Sequence, residues 1–183
     1  MRDNIDQLKG NKRITIIGIS GVGKSTLARH LAKKFDLPVI FTDQYIWGPY
    51  WELRNREIAE QELQKTLESE GEWIVEGYIT YAPPQMLQLA DTVIHLHYPA
   101  WLVVWQNIKR WIKHRNHKRD ELPEGCEEKI SLKRLWQLYR GDTHHFQEKF
   151  LEKYPPKELL VFNSPKELEE FLLESEKEKF VSA

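Results

Sequence analysis

"GISGVGKST", Gly18–Thr26, is the stretch on which the fold turns. Gly18, Gly23, Lys24 and Ser25 fit G-x-x-x-x-G-K-[ST], the phosphate-binding loop. A chance match in a chain of this length is rare, about one chain in 150. Glycines let the backbone curl until several N–H groups face one anion. The start of a helix adds partial positive charge there. The loop residues Ser20, Gly21, Val22, Gly23, Lys24, Ser25 and Thr26 are therefore expected to cradle phosphates. Lys24 reaches the terminal phosphates and Ser25 offers its hydroxyl to Mg²⁺. The donor this predicts is ATP, or another nucleoside triphosphate, with Mg²⁺.

The flanks agree. "RITIIG" (Arg13–Gly18) is β-branched and nearly continuous, as in a buried strand. "KSTLARHLAKKF" (Lys24–Phe35) is helical, with Leu27, Leu31 and Phe35 on its inner stripe. Further strands are expected at Leu37–Asp43, Trp73–Gly77, Asp91–Tyr98 and Glu158–Phe162. Helices are expected at Asn55–Glu72, Pro99–Arg115, Ser131–Tyr154 and Ser164–Ser175, the last opened by Ser164 and Glu167 at capping-box spacing. The first dozen residues and the tail "EKEKFVSA" read as loose ends. Strands alternating with helices imply an α/β fold with a parallel sheet covered on both faces.

The chain has 183 residues and a formal net charge of −1, which suits one domain without a dominant nucleic-acid or membrane surface. A single cysteine, Cys126, excludes an internal disulfide and fits a reducing cytoplasm. No apolar stretch is long enough to span a bilayer. Seven tryptophans are expected to fill the core or line a cleft.

In an open parallel sheet the ligand crevice lies at the carboxyl ends of the strands. Glu76, near the end of "WIVEG", is expected there as a second metal-side group beside Ser25. Asp43, closing "VIFTD", is expected to position or deprotonate an acceptor hydroxyl. Charge developing on a transferred phosphoryl group calls for cations. Lys109, Arg110, Lys113, Arg115, Lys118 and Arg119 fall within eleven residues without an acid among them. Arg115 and Arg119, where the charged segment 114–129 begins, are the expected phosphate clamps. Arg134 and Arg140, one helix later, are weaker candidates. Trp101 and Trp105, one helical turn apart, read as core rather than as bases for nucleic-acid stacking. His95 and His97 read as buried, hydrogen-bonded histidines, and Cys126, among acids, as a poor nucleophile.

"IIGISGVGKSTLARHLA", "VIFTDQYIW", "WIVEGYI", "ADTVIHLHYPAWLVVW", "RDELPEGCEEK" and "VFNSPKELEEFL" together resemble the adenylate-kinase-like P-loop kinases. Within them they resemble the bacterial DNA topology modulation, or FlaR-related, group. The resemblance spans about Arg13 to Leu172. It implies a five-stranded parallel sheet in the order 2-3-1-4-5, with an acceptor-binding segment near 44–72 and a lid near 114–129. It also maps the metal-side acidic–Gly pair onto Glu76 and Gly77. Adenylate kinases carry Asp-Gly-Phe-Pro-Arg at that pair, whereas this chain has Glu-Gly-Tyr-Ile-Thr, without the arginine that binds a nucleoside monophosphate. The function expected is a kinase for a small-molecule or nucleotide acceptor. The alternative is a nucleotide-dependent switch or DNA-associated regulator.

Overall fold

The computed structural model describes residues 5–77, 83–114, 122–127, 131–140 and 142–181. Five strands form one sheet: β1 (Arg13–Gly18), β2 (Val39–Phe41), β3 (Trp73–Gly77), β4 (Thr92–Leu96) and β5 (Leu159–Phe162). Their order is β2-β3-β1-β4-β5, and every pairing is parallel. This is the expected sheet. Parallel pairing carries each connection back over one face, and the helices α1 (Lys24–Phe35), α2 (Asp43–Ile46), α3 (Arg56–Ser69), α4 (Gln85–Gln88), α5 (Ala100–His114), α6 (Leu132–Arg140) and α7 (Asp142–Lys153) do that, while α8 (Pro165–Val181) follows the last strand.

Strand alternation sorts the core into two layers. Ile14 and Ile16 of β1, Ile74 of β3, and Ile94 and Leu96 of β4 face one layer, with Leu27 and Leu31 of α1, Val103 of α5 and Phe171 of α8. Ile17, Trp73, Val75 and Val93 face the other, with Leu63 and Leu67 of α3 and Met86 and Leu87 of α4. Each such side chain, fully withdrawn from water, contributes about 1.5–3 kcal/mol. Two polar groups inside find partners across the layers: Thr15 Oγ1 donates to Met86 O at 2.7 Å, and Trp73 Nε1 donates to Leu67 O at 3.0 Å.

Several sequence expectations need correction. The lead-in is not loose: a 3₁₀ turn at Ile5–Leu8 buries Ile5 and Leu8 completely in the first layer, beside α8. The second strand stops at Phe41, and Asp43 opens the short helix α2. Over the helix expected at Ser131–Tyr154 the described residues form α6 (Leu132–Arg140) and α7 (Asp142–Lys153). The last helix continues to Val181. Its start follows the capping-box expectation: Glu167 N donates to Ser164 Oγ at 3.2 Å, and Glu167 Oε2 accepts from Asn163 N at 2.7 Å. Trp101 and Trp105 are not core. They are 64% and 50% exposed, and Lys109 Nζ lies 5.1 Å from the centre of the Trp105 ring. Their face of α5 points away from the sheet, while Val103 turns inward.

Candidate active site

The loop Gly18–Gly23 leaves the carboxyl end of β1 and runs into α1. Buried Ile19 and Val22 anchor it in the first core layer. Gly21 and Gly23 have φ of 93° and 99°, the left-handed region that side chains disfavour. Gly23 caps α1, with no side chain taking up the first-turn N–H groups and no acid in the first turn. The helix start therefore keeps donors and dipole available to an anion. Lys24 Nζ donates to Ile19 O at 3.2 Å, folding the ammonium back over the loop.

Ser25, at the second helical position, donates its hydroxyl to Glu76 Oε1 at 3.1 Å. The register places Glu76 beside Ile16 of β1 and Phe41 of β2, near the carboxyl ends of three strands. Its side chain is almost fully buried. A hydroxyl and a carboxylate at the mouth of a phosphate loop form a hard oxygen donor set, the chemistry that suits Mg²⁺. Asp43 lies two residues beyond the end of β2, half-buried, and the strands hold it to the same edge through Thr42 N, which donates to Glu76 O at 3.0 Å. Gly18, Ser20, Gly21, Val22, Gly23, Lys24, Ser25, Thr26, Asp43 and Glu76 thus gather at one end of the sheet. Arg115 and Arg119 lie outside the described residues.

Two groups join them from α5: Asn107, which the sequence did not single out, and Arg110 of the basic run. Asn107, buried, donates from Nδ2 to Ser20 O at 2.7 Å and to Val103 O at 2.8 Å. Arg110 Nη1 and Nη2 each donate to Ser20 Oγ at 3.3 Å, and Nη2 also donates to Asn107 Oδ1 at 3.0 Å. The signal was present: Val103, Asn107 and Arg110 recur at helical spacing, so an amide and a guanidinium interrupt the inward face of α5.

The segment after Asp43 is packed on itself. Trp47 and Trp51 meet edge to face, ring centres 5.5 Å apart. Arg54 is committed to the Tyr45 carbonyl and the Glu62 carboxylate, and Arg56 to Glu60. Across from it, residues 122–127 close on the turn Pro49–Trp51: Tyr50 N donates to Glu124 O at 3.0 Å, Trp51 N to Cys126 Sγ at 3.2 Å, and Trp51 Nε1 to Glu127 O at 2.9 Å. Cys126 itself is buried and donates to Gly48 O.

His95 is buried on β4, Nε2 lying 3.3 Å from Gln147 Oε1 of α7, with the His97 ring edge-on at 5.3 Å. Among the described residues no three His, Cys, Asp or Glu side chains form a metal cluster. No described helix is long and apolar enough to cross a membrane.

No family model matches the chain. The uncharacterized protein YqaC of Bacillus subtilis (strain 168) is 32% identical over 110 residues, 59% of this chain and 58% of that one. The match therefore spans less than two thirds of that relative's length. Among solved structures, shikimate kinase from Acinetobacter baumannii, in complex with shikimate, superposes with a TM-score of 0.61 at 14% identity, over 97% of both chains. Shikimate kinase from Bacteroides thetaiotaomicron gives 0.55 at 17% identity, over 92% of this chain and 98% of that one. Deoxyadenosine kinase from M. mycoides, with bound dATP, gives 0.55 at 16% identity, over 82% and 90%. At such identities the likeness speaks to the backbone alone, and with the sheet order and the loop it establishes an α/β P-loop NTPase fold for this chain.

Proposed function

We propose that the chain is a P-loop phosphotransferase that moves the γ-phosphoryl group of ATP, or another nucleoside triphosphate, to a hydroxyl of a small-molecule acceptor. The observation that carries this is the Ser25–Glu76 pair, 3.1 Å apart, at the opening of the phosphate loop. Those two groups would hold Mg²⁺, which neutralises charge between the β- and γ-phosphates when bound. The loop N–H groups and Lys24 would bind the phosphates, with Arg110 beside them. Arg115 and Arg119 would close on the same charge from the lid segment.

In the transfer, the acceptor oxygen forms a bond to the γ-phosphorus as the bond to the β–γ bridging oxygen breaks. The hydroxyl proton passes to Asp43, and ADP and the phosphorylated acceptor leave. Little covalent work falls to the protein. Alignment and preorganised charge supply the acceleration. The acceptor segment near 44–72 and the lid near 114–129 would cover one site within a single domain, working in the cytoplasm. On the segments quoted above, we place the chain with the FlaR-related group.

The test is MgATP consumption against nucleosides, nucleoside monophosphates, sugars and small alcohols, with Lys24→Ala as the blank. Acceptor-stimulated turnover that vanishes in Lys24→Ala is the expected result. Turnover that survives the substitution would remove the loop from the active site.

One observation favours a second reading, a nucleotide-dependent switch that contacts nucleic acid: the exposure of Trp101 and Trp105 beside Lys109. Retention on DNA that falls steeply with salt would support it. No retention at low salt would end it.

A further inference from the structure

We propose that Asn107 is the positioning residue that sets the shape of the phosphate loop and holds Arg110 against it. The inference rests on the phosphotransferase reading, since it takes the loop to bind a nucleotide's phosphates.

A loop that binds an anion must turn its carbonyl oxygens away from it, because each carries partial negative charge. Ser20 O is turned toward α5, where the Asn107 amide takes it up at 2.7 Å. Both amide hydrogens are used, the second on Val103 O at 2.8 Å. The amide oxygen accepts from Arg110 Nη2 at 3.0 Å. This pattern fixes which way round the amide lies: two carbonyls on one side demand the nitrogen, and the guanidinium on the other demands the oxygen. Gly21, the next loop residue, passes so close that a Cβ there would collide with the same amide. The contact therefore requires both a glycine in the loop and an amide on the helix.

Asn107 thus acts twice. It holds one loop carbonyl out of the phosphate site. It also fixes the guanidinium whose two Nη atoms reach Ser20 Oγ at 3.3 Å, so the cation stands at the loop before any phosphate arrives. An unsatisfied amide in this apolar layer would be costly, yet all three of its bonds are made. An aliphatic side chain would fill the space without performing either task.

The test measures MgATP affinity of the intact chain by calorimetry, alongside the thermal midpoint without nucleotide. Asn107→Ala is expected to bind MgATP about tenfold more weakly, the equivalent of one strong hydrogen bond. Asn107→Asp keeps the shape and a partner for Arg110, but turns an acceptor toward Ser20 O. It is expected to weaken binding at least as much, and it serves where the alanine variant folds poorly. Arg110→Ala is expected to cost less in the Asn107→Ala background than in the wild type, because the guanidinium has already lost its bond to the amide oxygen.

Wild-type affinity in the Asn107 variants would overturn the inference. So would a lowered thermal midpoint with unchanged affinity, the mark of a purely structural amide. If the wild-type chain itself fails to bind MgATP, or Lys24→Ala binds it equally well, the phosphotransferase reading falls and this inference falls with it.

Discussion

Thr42 stands out at the scale of single residues. Its backbone is fully engaged: the N–H donates to Glu76 O, and the carbonyl accepts from Tyr45 N and Ile46 N. Its hydroxyl is buried with no hydrogen-bond partner among the described residues. Such a group costs about 1–3 kcal/mol relative to a paired or solvated one. Valine has nearly the same shape, so Thr42→Val is expected to raise stability by about 1 kcal/mol in denaturant titration. A loss of stability would mean that the hydroxyl is paired in solution. Because Thr42 stands between β2 and Asp43, a gain in stability joined to weaker acceptor affinity would mark it as a substrate contact. Glu76 invites the complementary change. Glu76→Gln keeps the shape and removes the charge, and it is expected to raise the Mg²⁺ concentration needed for half-maximal turnover by about tenfold or more. An unchanged requirement would remove Glu76 from the metal side of the site.

Among elements, the contact between the turn Pro49–Trp51 and residues 122–127 joins the two segments that the sequence assigns to acceptor and lid. Tyr50 and Trp51 hold φ of 58° and 64°, a conformation that aromatic residues adopt at a cost. Hydrogen bonds from both backbones offset it. Gly125 packs against the Tyr50 ring with no room for a Cβ. Gly125→Val should open this contact and expose Cys126, the chain's only thiol. The thiol is expected to react with an aromatic disulfide reagent about tenfold faster or more, with helix content unchanged by circular dichroism. Equal rates would mean that the contact does not protect the thiol. This contact joins residues 75 apart, and no local pattern signals it. The strands were legible because continuous β-branched runs suit a sheet buried on both faces. The loop was legible because its chemistry fixes its spacing. Asn107 escaped notice because an amide on an apolar helix face gains meaning only from what it faces. Trp101 and Trp105 were misplaced because two large aromatics at helical spacing look like core wherever their face points.

For the whole molecule, the sheet order gathers the carboxyl ends of β1, β2 and β3 at one edge, while α8 ties the other end of the order down. Tyr98, just past β4, is buried in the layer that α8 closes. Burial, and after it the Glu167 carboxylate at the start of α8, pushes its phenol from 10.0 up to about 12. The folded chain therefore keeps this proton where the unfolded chain has lost it. Stability from this group is fully present below pH 10 and is lost as pH rises through about 12. The two-unit difference corresponds to about 2–3 kcal/mol. The comparison is with Tyr98→Phe, which lacks only the phenolic hydroxyl. Denaturant titrations at a series of pH values should show the wild type losing about 2–3 kcal/mol more than Tyr98→Phe across that window. Parallel profiles would mean that ionised Tyr98 reaches solvent without global unfolding, so that the end of β4 opens locally while the sheet and its phosphate loop stay folded.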